Sequence, residues 1–593
     1  MSPVSTSSVP TMHGGLDCCS AHRLDMTRRL TQTIFQPMPQ AVVQPMPSIA
    51  LPTQRLRRTR ADLIVLGRVA TGDPANPLVD AMAVRDGRVV ALGSVSDIEN
   101  LAGPDTEVLH SGRGVISPGL IEPHMHLWVS VLADSWLNCS QLENPTFNDV
   151  VSKLKQAAAQ TPEGEWVFGQ LFDPVLFEGE PNLTRDVLDQ VSTTRPVLVL
   201  NASMHYAYVN SKVYELAGIT KDTPNPEGGR YEKDSNGELN GVLAEAGGIL
   251  SILHITPQRS QQDMLGEIRN ILNKAASVGV TSVRDALTGA VMGPGEMSVL
   301  HQLNAAQRLP TRVTSAVHSM LGLDAWLSAG VTPMSGDDMV RAVAWKVISD
   351  GSNQGRSGYL RDPYLGEPDN HGHPNMTLEQ LVDAIKTGHD AGWQVMCHAN
   401  GDAAMDMTVS AYEAVLAEAP AHDLRHRIEH CSIAYPEHFA RMAKIGVHPS
   451  FLMNHVYYWG AVMRDDIMGS SRTDHLDAVA DALAAGLRPS LHSDYSVSPM
   501  QPLRSAQTAV QRQARLDDSV LNADQCVSPE AALKAITADA AWQIHADELG
   551  VLKQGAPADF VVLSDNPWTA DPSTWSDIEV YETRIDGTVA WSS

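Results

Sequence analysis

The chain has 593 residues, of which 43% are hydrophobic and 19% charged, and it carries a formal net charge of −26. Such a length exceeds one minimal domain, and such a composition is that of a globular protein rather than a fibrous or disordered one. The acidic balance argues against nucleic acid or an anionic membrane surface as the main partner, and no apolar run approaches the roughly 20 residues a bilayer span needs.

Residues 1–60 are rich in Ser, Thr, Pro, Gln and Met, with Arg23, Arg28, Arg29, Arg55, Arg57, Arg58 and Arg60 against only Asp17 and Asp25 as acids, and read as a disordered or extended leader. Arg28-Arg29 is not followed by an apolar export core. Strand-like runs then surround Asp86-Gly87, a hairpin signal. The far end repeats the pattern around Asp586-Gly587. Residues 61–115 and 549–593 are therefore expected to form one composite β-sandwich domain from both termini. Between them, apolar runs alternate with helical patterns, the signature of a parallel sheet. Eight strands are predicted, over 116–126, 279–285, 312–318, 343–350, 393–398, 425–430, 446–451 and 488–494. Eight is the number a closed (β/α)8 TIM barrel of class α/β requires, so residues 116–548 are assigned to it. The stretch 130–255 far exceeds an ordinary crossover and is predicted to be an inserted subdomain after the first barrel strand, serving as a lid over the barrel mouth.

Chemistry-bearing residues recur at the carboxyl ends of these strands. His124 and His126 lie two apart, so on a strand both face one side and reach one metal ion. His398, His430 and Asp494 close later strands, and Lys346 lies within the fourth. A barrel places its active site at this end. The six cysteines, Cys18, Cys19, Cys139, Cys397, Cys431 and Cys526, show neither disulfide-framework spacing nor a CxxC pair, which points to a reducing cytoplasm. Cys397 and Cys431 adjoin proposed ligands and are expected to face away as packing residues. Glu429, next to His430, is expected to face away for the same reason. Asp402 is read either as a partner of a ligand histidine or as a cap of the next helix.

The motifs Pro118-Gly-Leu-Ile-Glu-Pro-His-Met-His126, Lys346-Val-Ile-Ser-Asp-Gly-Ser352, His398-Ala-Asn-Gly-Asp402, Arg427-Ile-Glu-His430, His492-Ser-Asp494 and Gly555-Ala-Pro-Ala-Asp-Phe-Val-Val-Leu563 resemble the amidohydrolase superfamily. Within it they resemble the amidohydrolase 3 group of YtcJ-like and N-substituted formamide deformylase-like proteins. The resemblance runs from about Ala61 to the end. It implies that His124 and His126 bind the more buried metal, that Lys346 is a carboxylated lysine bridging two metals, that His398 and His430 bind the second, and that Asp494 binds metal and shuttles the proton. A lysine–carboxylate pair, with Asp350 for example, is the alternative for Lys346. Asn400 stands where the group commonly has an apolar residue, and His492 where it commonly has glycine.

Imidazole and carboxylate ligands suit a divalent metal, Zn above all, with Fe, Mn or Co as alternatives and one or two ions. The expected activity is hydrolysis, by metal-activated hydroxide, of a non-peptide C–N bond: an amide, formamide or cyclic amide of a small, aromatic or apolar molecule. The same site acting as a C–O hydrolase or deaminase is the nearest alternative. A non-catalytic metal-binding barrel or a metal-dependent decarboxylase represents a different class. Trp128, His205, Tyr359, His455 and Tyr458 are the candidate substrate contacts, with His205 and His455 near the developing oxyanion or the substrate. The expected partner is a small-molecule substrate, without nucleic acid or membrane, and homo-oligomerisation is left open.

Overall fold

A computed structural model describes residues 60–593 except 180, 203–205, 227–228, 254, 258–259 and 421–422. The expectations for the leader and for His205 fall outside the described residues.

Three sheets organise the chain. The one that positions the site is an eight-stranded parallel barrel. Its strands are β1 (Leu120–Met125), β2 (Val280–Thr288), β3 (Arg312–His318), β4 (Val340–Ile348), β5 (Gln394–Ala399), β6 (Arg427–His430), β7 (His448–Phe451) and β8 (Ser490–Leu491), each paired with the next in parallel. Closure between β8 and β1 relies on side chains more than on a ladder. Ser493 donates to the Glu122 carboxylate through its hydroxyl at 2.7 Å and its backbone N–H at 3.2 Å, and the His126 N–H donates to the Tyr495 carbonyl at 2.6 Å.

The single strand predicted over 116–126 is two. Val115–Pro118 pairs with Phe560–Leu563 in another sheet, and only Leu120–Met125 enters the barrel. Gly119 is the break. A Cβ there would stand 2.2 Å from Thr281 Oγ1, so only glycine lets the chain pass β2 this closely. The last predicted strand is also shorter: β8 ends at Leu491, and Asp494 has a φ of 55°.

Strands from the two ends of the chain join in one continuous eight-stranded sheet. The Asp86-Gly87 and Asp586-Gly587 turns all have positive φ and pack on one another, with the Gly87 Cβ position 2.8 Å from Asp586 Cβ. The sheet thus curls until its two hairpin tips meet. Arg312 on β3 fastens it to the barrel: the buried guanidinium donates to both oxygens of Asp559, at 2.7 and 2.9 Å, and to Asp586 at 2.7 Å. Within 130–255 lies a third, six-stranded sheet that runs from Leu137–Asn138 to Leu239–Ala244 in chain order. This insertion touches segments that follow β7 and β8: Trp459 Nε1 donates to Asp173 at 3.1 Å, and Tyr495 donates to Asp134. Among the described residues no helix is long and apolar enough to cross a membrane.

Inside the barrel, residues two apart share the inward face. Ala286, Ala316, Ala344 and Met396, one from each of β2–β5, form one small apolar cluster. Two residues further along β4 and β5 come Lys346 and His398.

Candidate metal centre at the barrel mouth

His124, on β1, is fully buried, and its two ring nitrogens face different carboxylates. Nδ1 stands 2.5 Å from Glu429 Oε2, and Nε2 stands 3.2 Å from Asp494 Oδ1. His126 caps the helix Leu127–Ser130 and brings its Nε2 to 3.1 Å from the same Asp494 oxygen. The His430 ring centroid is 5.1 Å from that of His124 and 4.5 Å from that of His398. One ligand atom from each of His124, His430 and Asp494 falls within 4.8 Å of the others. Five of the six predicted ligands, His124, His126, His398, His430 and Asp494, therefore gather at one end of the barrel. Lys346 is buried close by, near enough for the charges of Glu429 and Asp494 to act on it.

The electrostatics are those of a desolvated site. Burial lowers the pKa of the Lys346 ammonium, opposed by Glu429 and Asp494. Burial opposes ionisation of Asp494, but the imidazoles of His124 and His126 outweigh it and hold the carboxyl well below its ordinary range. Burial also pushes His124 and His430 below the usual histidine pKa, the latter strongly.

Glu429 does not face away. Arg427, two residues earlier on the inward face, donates to both of its oxygens, and His124 Nδ1 to one. Burial opposes its charge, yet Arg427 and His124 together hold it strongly ionised. His430, with φ 69°, leaves the extended conformation, so it too reaches the interior despite following Glu429. Strand alternation fails at this one residue. The readable signal was the Arg-x-Glu spacing, which places Arg427 and Glu429 on one face.

The remaining candidates separate. Asp350 accepts from the backbone N–H groups of Tyr359, Asn400 and Gly401 at 2.9–3.0 Å and forms no ion pair with Lys346. Asp402 begins the helix Asp402–Glu418 and accepts from the Arg361 N–H, so it is a helix-start residue and not a histidine partner. Cys397 and Cys431 are buried and free. Trp128 is buried in the main core, and Tyr458 packs edge-on to Tyr457 and Trp459. Tyr359 lies in the loop after β4 with its carbonyl against Gly401. His455 opens a π-helical turn, His455–Trp459, beyond β7, with its ring 6.5 Å from His430. His492 stacks on His124 with centroids 4.5 Å apart, and neither of its nitrogens has a hydrogen-bond partner. Its closeness to His124 was not foreseen, although the spacing His492-x-Asp494 puts the two on one face.

The donor set fits a divalent ion. His124 Nε2, His430 Nδ1 and Asp494 Oδ1 are buried polar atoms without a hydrogen-bond partner, an arrangement that costs free energy unless a ligand satisfies it. Glu429 accepting at His124 Nδ1 leaves a lone pair on Nε2, the arrangement by which an outer carboxylate orients a metal-binding histidine.

A parallel barrel with histidines, a lysine and an aspartate gathered at its carboxyl end is the framework of a metal-dependent hydrolase. The family model described as "Amidohydrolase family" matches residues 112–590, and the chain belongs to that family. It is 27% identical to the N-substituted formamide deformylase of Arthrobacter pascens over 89% of this chain and 98% of that protein. It is 28% identical to the putative amidohydrolase YtcJ of Bacillus subtilis, covering 86% and 96% of the two chains. In fold it is similar to an uncharacterized metal-dependent hydrolase from Pyrococcus horikoshii, with a TM-score of 0.69 and 20% identity over 86% of this chain and 99% of that one.

Proposed function

We propose that this amidohydrolase cleaves a C–N bond other than a peptide bond, in an amide, formamide or cyclic amide of a small aromatic or apolar molecule. The observation that carries the reading is the approach of His124 Nε2 and His126 Nε2 to one oxygen of Asp494, beside His430 and the buried Lys346. The formamide deformylase among the relatives supports the choice of bond.

His124, His126, His398, His430 and Asp494 would hold a divalent ion, Zn being best suited to imidazole and carboxylate donors. When bound, such an ion supplies a water acidified to a pKa of about 7 and a Lewis acid for the carbonyl. The chain's own groups do the rest. Lys346, whose neutral amine burial favours, could add carbon dioxide and release one proton to give a carbamate, whose oxygens would join the donors that hold the metal. Asp494, ionised and beside both histidines, accepts a proton at Oδ1 and returns it to the leaving nitrogen. Glu429 keeps the His124 proton at Nδ1.

The test is a screen of N-formyl and N-acyl amines on metal-reconstituted protein, with chelated protein as control. Metal-dependent release of amine and acid in equal amounts is expected. Ammonia from an amino-substituted ring, alcohol from an ester, or carbon dioxide from a carboxylic acid, without amine release from any amide, would replace this reading with deamination, C–O hydrolysis or decarboxylation.

A further inference from the structure

Asp494 has a φ of 55°, in the left-handed region, which a residue with a side chain keeps only where its surroundings enforce it. The barrel ladder does not reach it, because β8 ends at Leu491. Its two chain neighbours are fixed instead. Ser493, before it, donates to Glu122 through both hydroxyl and backbone N–H. Tyr495, after it, is gripped at both ends by one short stretch of chain. Its carbonyl accepts from the His126 N–H at 2.6 Å, and its phenol donates to Asp134 Oδ1. Between those two grips run the helix Leu127–Ser130 and the turns after it. The Ser130 N–H donates to the His126 carbonyl at 2.9 Å, and the Asp134 N–H to the Ser130 carbonyl at 2.8 Å. Asp134 is held in turn from outside. Its Oδ2 accepts from Lys274 Nζ at 2.5 Å, on the helix Gln261–Ser277 that precedes β2, and its side chain is only 4% exposed.

We propose that Tyr495 and Asp134 are positioning residues for Asp494: the bond between them fixes the turn in which Asp494 Oδ1 meets the Nε2 atoms of both His124 and His126. The proposal rests on the reading of Asp494 as metal ligand and proton acceptor. Tyr495 and His126 belong to one closed ring of contacts, His126 to Tyr495 to Asp134 and back along the chain to His126. The ring sets the place of the aspartate relative to one of its two histidines, and the Glu122 bonds set it relative to the other. Opening the ring at the phenol leaves Tyr495 attached by its carbonyl alone, free to turn and to carry Asp494 with it. A misplacement of about 1 Å in a reacting group can cost on the order of 100-fold in rate. Asp134 stands near the start of the segment 130–255, so this segment helps to frame the metal centre, whatever else it does at the mouth.

Tyr495→Phe removes one hydroxyl and keeps the ring, so it tests the bond without emptying the site. Three quantities are read on the full chain: zinc affinity in competition with a chelator, kcat and KM for a hydrolysed amide, and the visible spectrum of the cobalt(II)-loaded protein. Zinc affinity and kcat are each expected to fall about 10–100-fold, the range for residues that orient a metal ligand, with KM nearly unchanged. The cobalt spectrum should shift, because it follows the geometry of the ligands. Asp134→Ala should match Tyr495→Phe, and the double variant should be no worse than either, since all three lack the same bond. Asp134→Asn keeps an oxygen for the phenol and should recover most of the loss, although the ion pair with Lys274 is gone. Wild-type zinc affinity, spectrum and kcat in Tyr495→Phe overturn the proposal, even if the unfolding midpoint drops, because the bond would then only fasten the segment. Additive losses in the double variant overturn it too, as does an Asp134→Asn protein as impaired as Asp134→Ala, which would assign the effect to Lys274. If no amide is hydrolysed, or Asp494→Asn retains turnover at full metal occupancy, the proposed activity or the proton-acceptor role falls by itself. Zinc affinity and the cobalt spectrum then still decide whether the pair positions Asp494.

Discussion

At the scale of single residues, Asp494 and Glu429 divide two tasks between two carboxylates. Asp494 faces two imidazole Nε2 atoms, whereas Glu429 lies behind His124 and is saturated by Arg427. Asp494→Asn keeps the shape and loses the proton acceptor. Turnover should fall about 10²–10⁴-fold, the usual worth of a general acid–base, and adding metal to full occupancy should not restore it. Recovery to near wild-type turnover in a metal titration would leave Asp494 as a ligand only. Glu429→Gln should act differently. It weakens the hold on His124 Nδ1 and leaves the Arg427 guanidinium, fully buried, without its counter-charge. A loss of about 10–100-fold in metal affinity is expected, as for other outer partners of metal-binding histidines, together with lower stability. Metal competition against a chelator and denaturant unfolding measure the two; unchanged metal affinity would make Glu429 a purely structural partner of Arg427.

At the scale of elements, close passage and buried histidines are where the barrel is vulnerable. Gly119→Ala places a Cβ against the Thr281 side chain and should cost about 1–3 kcal/mol, as overpacking does; urea unfolding reads this, and Thr281→Gly in the same chain should recover part of the loss. The amino ends of β6 and β7 and the segment after the helix Ala538–Gln543 carry His426, His448 and His545, which burial pushes down to about 3, 4 and 4. His426 Nδ1 accepts from the Val395 N–H at 2.9 Å, and its Nε2 is 2.9 Å from His389 Nδ1, so an added proton breaks a backbone bond. The sign follows from linkage. The unfolded chain protonates these rings below about pH 6.5 while the folded chain does not, so stability is full above that pH and drains away as pH falls towards about 4 and then 3. Thermal melts from pH 7 to 4 should show this loss, and His426→Gln should flatten it. A melting temperature independent of pH across that window would contradict the assignment.

At the scale of the whole molecule, one buried ion pair ties the terminal sheet to the barrel. Arg312 meets Asp559 through two parallel bonds and is almost wholly enclosed. Removing one partner of a buried pair typically costs about 3–5 kcal/mol, and the Asp586 carboxylate, which also bonds Arg312, should hold the loss here to the lower end. Asp559→Ala should therefore lower the unfolding midpoint markedly while kcat, measured well below that midpoint, stays close to wild type, because the pair lies at the start of β3, away from the histidines. A parallel loss of kcat would mean that the terminal sheet holds the mouth in shape.

The sequence by itself determined the barrel, because alternation of apolar runs with helical patterns is a local signal and each run must bury its own apolar face. It also marked His124, His126, Lys346, His398, His430 and Asp494, since a two-residue spacing or a strand end is visible in one dimension. The tertiary structure alone decided what those residues do to one another. Gly119 splits one apolar run between two sheets because β2 crosses it, and β2 lies more than 150 positions away in sequence. His430 joins Glu429 in the interior because of a positive φ that no residue type announces. The hydrogen bonds from Gly351 through Asn400 and Ser432 to His455 link the four segments after β4, β5, β6 and β7, whose sequence separation hides their contact. Periodicity reports which face a residue occupies; the direction of a hydrogen bond and the tautomer of an imidazole depend on neighbours that only folding brings within 3 Å.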